Sequence, residues 1–71
     1  MNLTESIKQR REELGITQKH LAEVAFVGIQ TLKAIESGKG NPTLSSINKL
    51  ADVLGLEIII RVKTNEESRS L

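Results

Sequence analysis

Apolar positions recur with a helical period through most of the chain and change to a strand period near its end. Leu3, Ile7 and Leu14 mark the inner face of a first helix over about residues 3 to 14. Asn2 and Glu5 have the spacing of a capping box at its start, and Gly15 supplies a left-handed stop at its end. Leu21, Ala22 and Ala25 fall at i, i+1 and i+4 in a second segment, roughly Gln18 to Ala25, which Thr17 caps and Ile16 can staple. Leu32 and Ile35 fall at i and i+3 in a third, about Gly28 to Ser37, stopped by Gly38. After a loop of Lys39, Gly40, Asn41 and Pro42, Thr43 caps a fourth helix. Its apolar positions Leu44, Ile47, Leu50, Ala51 and Leu54 form the cleanest stripe in the chain, and Gly55 ends it.

The second and third segments are joined by a turn too tight to let them drift apart, so Thr17 to Gly38 reads as a helix-turn-helix. Two helices crossing steeply need a small side chain at their closest approach, and Ala22 suits that place. Beyond Gly55 the texture changes. Leu56 to Lys63 is dense in β-branched residues, with Leu56, Ile58, Ile60 and Val62 on one face and Glu57, Ile59, Arg61 and Lys63 on the other, which predicts one strand. Residues 64–71 are polar and aperiodic and read as a flexible tail, leaving 1–63 as the domain.

A lone strand leaves a row of backbone donors and acceptors unpaired, and the chain offers no second strand to meet them. Glu57, Ile58, Ile59, Ile60, Arg61 and Val62 are therefore expected to pair with the same residues of a second copy, as an antiparallel lid across a dimer axis. The apolar face from Leu56 to Val62 would cover the end of the helical core, leaving Ile59 outward. Chain length points the same way. At 71 residues a domain buries only about 60% of the surface its unfolded chain exposes. Without a cysteine or a cluster of metal ligands, association is the remaining source of stability.

Composition excludes more than it selects. The N-terminal stretch is charged almost from its start, which does not read as a signal peptide, and apolar runs as short as Ile58 to Ile60 cannot span a bilayer. A reducing cytoplasm is the expected setting. A net charge of +1 neither requires nor excludes a nucleic-acid partner. No nucleophile and base stand at a useful spacing, Asp52 is the only aspartate, and Gly38-Lys39-Gly40 lacks the upstream glycine of a P-loop, so no catalytic residue, cofactor or metal site is expected. His20 reads as a solvated surface residue.

Thr17, Gln18, Leu21, Ala22, Thr31, Leu32, Ile35, Glu36, Gly38, Asn41, Pro42, the Leu50-Ala51 pair and the Leu54-Gly55 pair together resemble the Xre, or Cro/cI-type, helix-turn-helix family. The resemblance covers about residues 5 to 55. It implies a mainly α, lambda-repressor-like bundle of four to five elements, with the third helix in the major groove of duplex DNA and the start of the second on phosphate. A strand directly after the fourth helix is similar to the HipB-like antitoxins, whose partner is a HipA-type kinase toxin. Arg11 and Glu36 resemble a pair that links the first helix to the end of the third, a structural role. The family usually has Gly at the third residue before the recognition helix; here it is Phe26. Either the turn takes another geometry, or burial of the chain's only aromatic offsets a left-handed strain of about 1–2 kcal/mol.

With the third helix in the groove, Gln30 can pair bidentately with adenine, Lys33 can donate to guanine, and Ile29 can meet a thymine methyl, with Thr31 near the backbone. Gln18, Lys39 and Asn41 suit phosphate. The expected protein is a sequence-specific transcriptional repressor of bacterial or phage origin, a homodimer on an inverted-repeat operator. The antitoxin reading adds a HipA-like kinase toxin as partner. A stand-alone phage or housekeeping repressor and a pure protein-interaction module are the alternatives.

Overall fold

A computed structural model describes residues 2–62. Four helices follow in order, α1 (Leu3–Glu13), α2 (Gln18–Ala25), α3 (Ile29–Glu36) and α4 (Leu44–Leu54), each within about one residue of its predicted bounds. Side-chain caps start three of them. Backbone N–H groups of Glu5, His20 and Ser46 donate to Asn2 Oδ1 (2.9 Å), Thr17 Oγ1 (3.0 Å) and Thr43 Oγ1 (3.1 Å). Asn2 Nδ2 also donates to Glu5 Oε1 at 3.3 Å, closing the box at α1 through the side chains. Gly28 starts α3 with no side-chain cap.

All four helices end in one motif, a pair of backbone bonds spanning six residues around a left-handed residue. Ile16 N donates to Arg11 O, Val27 N to Ala22 O, Lys39 N to Ala34 O and Leu56 N to Ala51 O, at 2.9–3.3 Å. Gly15, Gly38 and Gly55 hold the left-handed position in three of these ends. Phe26 holds it in the fourth, at φ 56°, ψ 43°. The turn has therefore kept the geometry that favours glycine, and the ring is not buried in compensation, since Phe26 is 86% exposed. Burial as the offset to strain is overturned.

The core gathers at the centre of the bundle. Ile7, Leu21, Leu32, Leu50 and Leu54 are wholly enclosed, with Ala22, Ala25, Val27, Ile35, Ile47 and Ala51 around them. Leu3 and Leu14, predicted on the inner face of α1, are nearly half exposed, because they lie at the two ends of that helix, beyond the cover of the others. Leu44 in the first turn of α4 is exposed likewise. One tie across the bundle is invisible to periodicity. Arg10 Nε on α1 donates to the carbonyl of Leu54 at 2.9 Å, supplying a cation and a donor at the C-terminal end of α4.

Beyond α4, residues 56–62 run without a strand assignment, and no ladder forms within the described residues. Leu56 and Ile58 pack against the core. Ile60 and Val62, expected to continue that cover, are 87% and 91% exposed, and Ile59 is exposed as well. A segment this short reaches over the core with its first two inward residues only. The end of the predicted strand at Lys63 and the tail at 64–71 lie outside the described residues.

Candidate nucleic-acid interface

Burial divides α3 into two sides. Leu32, Ile35 and Glu36 face inward, while Gln30, Thr31 and Lys33 face solvent and Ile29 is half-buried against the core. The helix starts three residues after the left-handed Phe26.

Between α2 and α3 opens a cleft of 620 Å³. Gln18, Lys19, Ala22 and Glu23 line it from α2, and Ile29 and Lys33 from α3. A second hollow, of 160 Å³, lies at the other flank of α3 and brings Thr31 together with Lys39 and Asn41 of the following loop. The predicted contact residues thus fall into two groups on either side of one helix, Gln18, Ile29 and Lys33 in the cleft and Thr31, Lys39 and Asn41 in the hollow. Gln30 lines neither and stands free on the surface between solvent and the helix start. Lys19 and Glu23 escaped sequence reasoning. Their signal was the helical spacing from Gln18 and Ala22, which sets Lys19 and Glu23 one turn apart on α2.

Behind these residues the helices are held by one buried ion pair. Arg11 Nε and Nη2 donate to the two carboxylate oxygens of Glu36 at 2.8 and 2.9 Å, a bidentate fork from α1 to the last turn of α3. Arg11 Nη1 also donates to the carbonyl of Ile16 at 2.9 Å, just before α2. Glu36 is only 8% exposed, and all of its charge is answered here. The hydrogen bond to Glu36, opposed by burial, raises the Arg11 pKa above its ordinary value. Gln18 Nε2 donates to the same carboxylate at 3.2 Å. The carboxamide predicted to meet phosphate is therefore already oriented by Glu36, with one N–H spent and one left over.

Among the described residues, no group of three His, Asp or Glu side chains could hold a metal, and no helix is long and apolar enough to cross a membrane.

The chain is similar to proteins of one kind. The helix-turn-helix family profile matches residues 7–60. An uncharacterized HTH-type transcriptional regulator of Methanothermobacter thermautotrophicus is 43% identical over 53 residues, 75% of this chain and 77% of that protein. The cryptic phage CTXphi transcriptional repressor RstR of Vibrio cholerae is 31% identical over 58 residues, and the immunity repressor protein of Bacillus phage phi105 is 36% identical over 58. Each of these two matches covers 82% of this chain, which spans 52% and 40% of their lengths. With the profile running from α1 past α4 and through both helices of the motif, the chain belongs to the Xre-like helix-turn-helix family of DNA-binding transcriptional regulators.

Proposed function

We propose that the protein is a sequence-specific repressor that binds an inverted-repeat operator as a two-fold dimer, with α3 of each subunit in the major groove. The observation that carries this reading is the outward side of α3. Gln30, Thr31 and Lys33 stand exposed there, and none makes a side-chain hydrogen bond or ion pair among the described residues. Gln30 and Lys33 read base edges, Ile29 meets a thymine methyl, and Gln18, Lys39 and Asn41 set register on phosphate. The names of two relatives, a phage repressor and an immunity repressor, support repression as the outcome. Its place of action is the nucleoid in the cytoplasm of the host cell.

Dimerisation rests on residues 57–62. Leu56 and Ile58 are partly buried against their own core, whereas Ile60 and Val62, which alternate with them along the chain, are bare. Antiparallel pairing with a second copy gives each backbone its missing partners and brings the mate's apolar side chains to that bare half. Half-sites then lie about one helical turn, roughly 34 Å, apart. Footprinting on the protein's own upstream region tests the whole reading: two protected half-sites at two chains per operator are expected, and one unpaired half-site at one-to-one stoichiometry refutes the dimer.

A second reading makes the same repressor the antitoxin of a HipA-like kinase toxin. It is favoured by Ile59, which stays 60% exposed and lies opposite the face that the mate would cover. Co-purification with the product of an adjacent kinase-like reading frame tests it. Absence of such a frame leaves the stand-alone repressor.

A further inference from the structure

Residues 56–62 carry an apolar set that one copy covers unequally. Leu56 and Ile58 pack on the core, and with Leu3, Ile7, Ile47 and Ala51 they wall a groove of 310 Å³ between α1 and α4. Ile60 and Val62 line no part of it and are almost fully exposed. Glu57 and Arg61 stand exposed at alternate positions, and neither makes an ion pair among the described residues. On an extended chain, residues four apart are separated by roughly 13 Å, too far for these two to meet within one copy.

Antiparallel pairing about a two-fold axis sets one residue opposite its own copy, and directly opposed side chains share a face. The side-chain pairs therefore choose the residue on the axis. With the axis at Ile59, Leu56 opposes Val62 of the mate, Ile58 opposes Ile60, Glu57 opposes Arg61, and the two Ile59 side chains meet on the outer face. Every pair then joins apolar to apolar or acid to base. An axis at Ile58 would need Leu54, which α4 holds, to oppose Val62. An axis at Ile60 carries Glu57 on to Lys63 and leaves each Arg61 facing an isoleucine, Ile59. We infer that residues 56–62 form a self-complementary ladder centred on Ile59, whose partner is a second copy of this chain. The mate's Ile60 and Val62 close the groove beside Leu56 and Ile58. Two ion pairs between copies, Glu57 to Arg61 in each direction, select the chain's own kind against segments with like charges there. This rests on the proposed dimer and adds its register, its central residue and its charged pairs.

The test is sedimentation equilibrium of the full chain at low ionic strength, where exposed ion pairs are least screened. Glu57→Arg and Arg61→Glu each set like charges opposite one another twice per dimer, and each should raise the dimer dissociation constant at least about fourfold. An equimolar mixture of the two variants should recover dimers, because in a mixed pair each introduced charge meets its opposite. A chain carrying both substitutions should dimerise like the wild type. Since the sequence has no cysteine, Ile59→Cys and Ile60→Cys report the central residue directly. With oxidised glutathione, Ile59→Cys should form a disulfide-linked dimer much faster than Ile60→Cys, because only the former meets its own copy. Circular dichroism checks that each variant keeps its helices. Unchanged dissociation constants in both charge variants, a mixture as weak as its components, or faster crosslinking through Ile60→Cys overturns this register while leaving the dimer in place. A folded wild type that stays monomeric refutes the proposed dimer itself, so the two failures are distinct.

Discussion

Replacing Phe26 with glycine should stabilise the protein, which is unusual for the only aromatic of a small domain. At φ 56° its backbone carries a left-handed strain of about 1–2 kcal/mol for a residue with a Cβ. Full burial of a Phe contributes roughly 1.5–3 kcal/mol, but at 86% exposure the ring keeps only about 0.2–0.4 kcal/mol of it. Glycine removes the strain and forfeits that remnant, and its greater freedom in the unfolded chain costs about 0.5–1 kcal/mol. The balance runs from about −0.4 to about +1.3 kcal/mol and centres near +0.5 kcal/mol in favour of Phe26→Gly, a rise in Tm of a few degrees, since 1 kcal/mol shifts a domain of this size by about 4–8 °C. Phe26→Ala separates the terms. It keeps the strain and loses the ring, so it should sit slightly below wild type and clearly below Phe26→Gly. Urea denaturation followed by circular dichroism measures all three, with equal m-values required for the comparison. If alanine matched glycine, or glycine lowered stability by more than about 0.5 kcal/mol, the turn would not be strained, and the parallel with the glycine-ended helices would be broken.

Other substitutions test the remaining contacts. Arg11→Met leaves the Glu36 carboxylate buried and unpaired and should cost roughly 3–5 kcal/mol in denaturant unfolding, whereas Arg11→Met with Glu36→Leu should recover most of it. Because the Arg11 pKa is raised, the arginine's contribution is complete below its ordinary value and is lost only as pH rises through the higher folded one. Acid, neutral and mildly alkaline titrations should therefore show no loss of stability from Arg11 deprotonation. Gln30→Ala should lose about 1–3 kcal/mol of operator affinity and relax preference at one base pair, while Lys39→Ala should weaken all duplexes alike and flatten the salt slope by about one unit; gel-shift titration against single-base operator variants separates the two. Ile59→Pro removes a backbone donor from the proposed lid and should yield monomers in sedimentation equilibrium, with weaker operator binding; a fully dimeric Ile59→Pro, or a dimeric chain truncated after Gly55, would place the dimer contact on the helices instead.

The four helices were legible along the chain because their causes are local. Asn2, Thr17 and Thr43 carry their own cap acceptors, glycines stand where three helices stop, and the spacing of Leu21, Leu32, Leu50 and Leu54 marks sides that had to be buried. The outward side of α3 followed from the same period, since residues between buried positions can only face solvent. Other features depended on elements far apart in sequence and had no local signal. Arg10 meets Leu54 across 44 residues, and Gln18 shares the Glu36 carboxylate with Arg11 across 18 and 25. Phe26 shows the division most clearly. Its position raised the question of strain, but only the packed structure decided that the backbone stays left-handed and the ring stays outside, because the closing bond from Val27 to Ala22 holds the turn and the neighbouring core is already filled by smaller side chains. The segment after Gly55 is the opposite case, in which alternation along the chain spoke of a strand while one copy alone supplies no neighbour for it among the described residues, since a ladder is a property of two strands and never of one sequence segment.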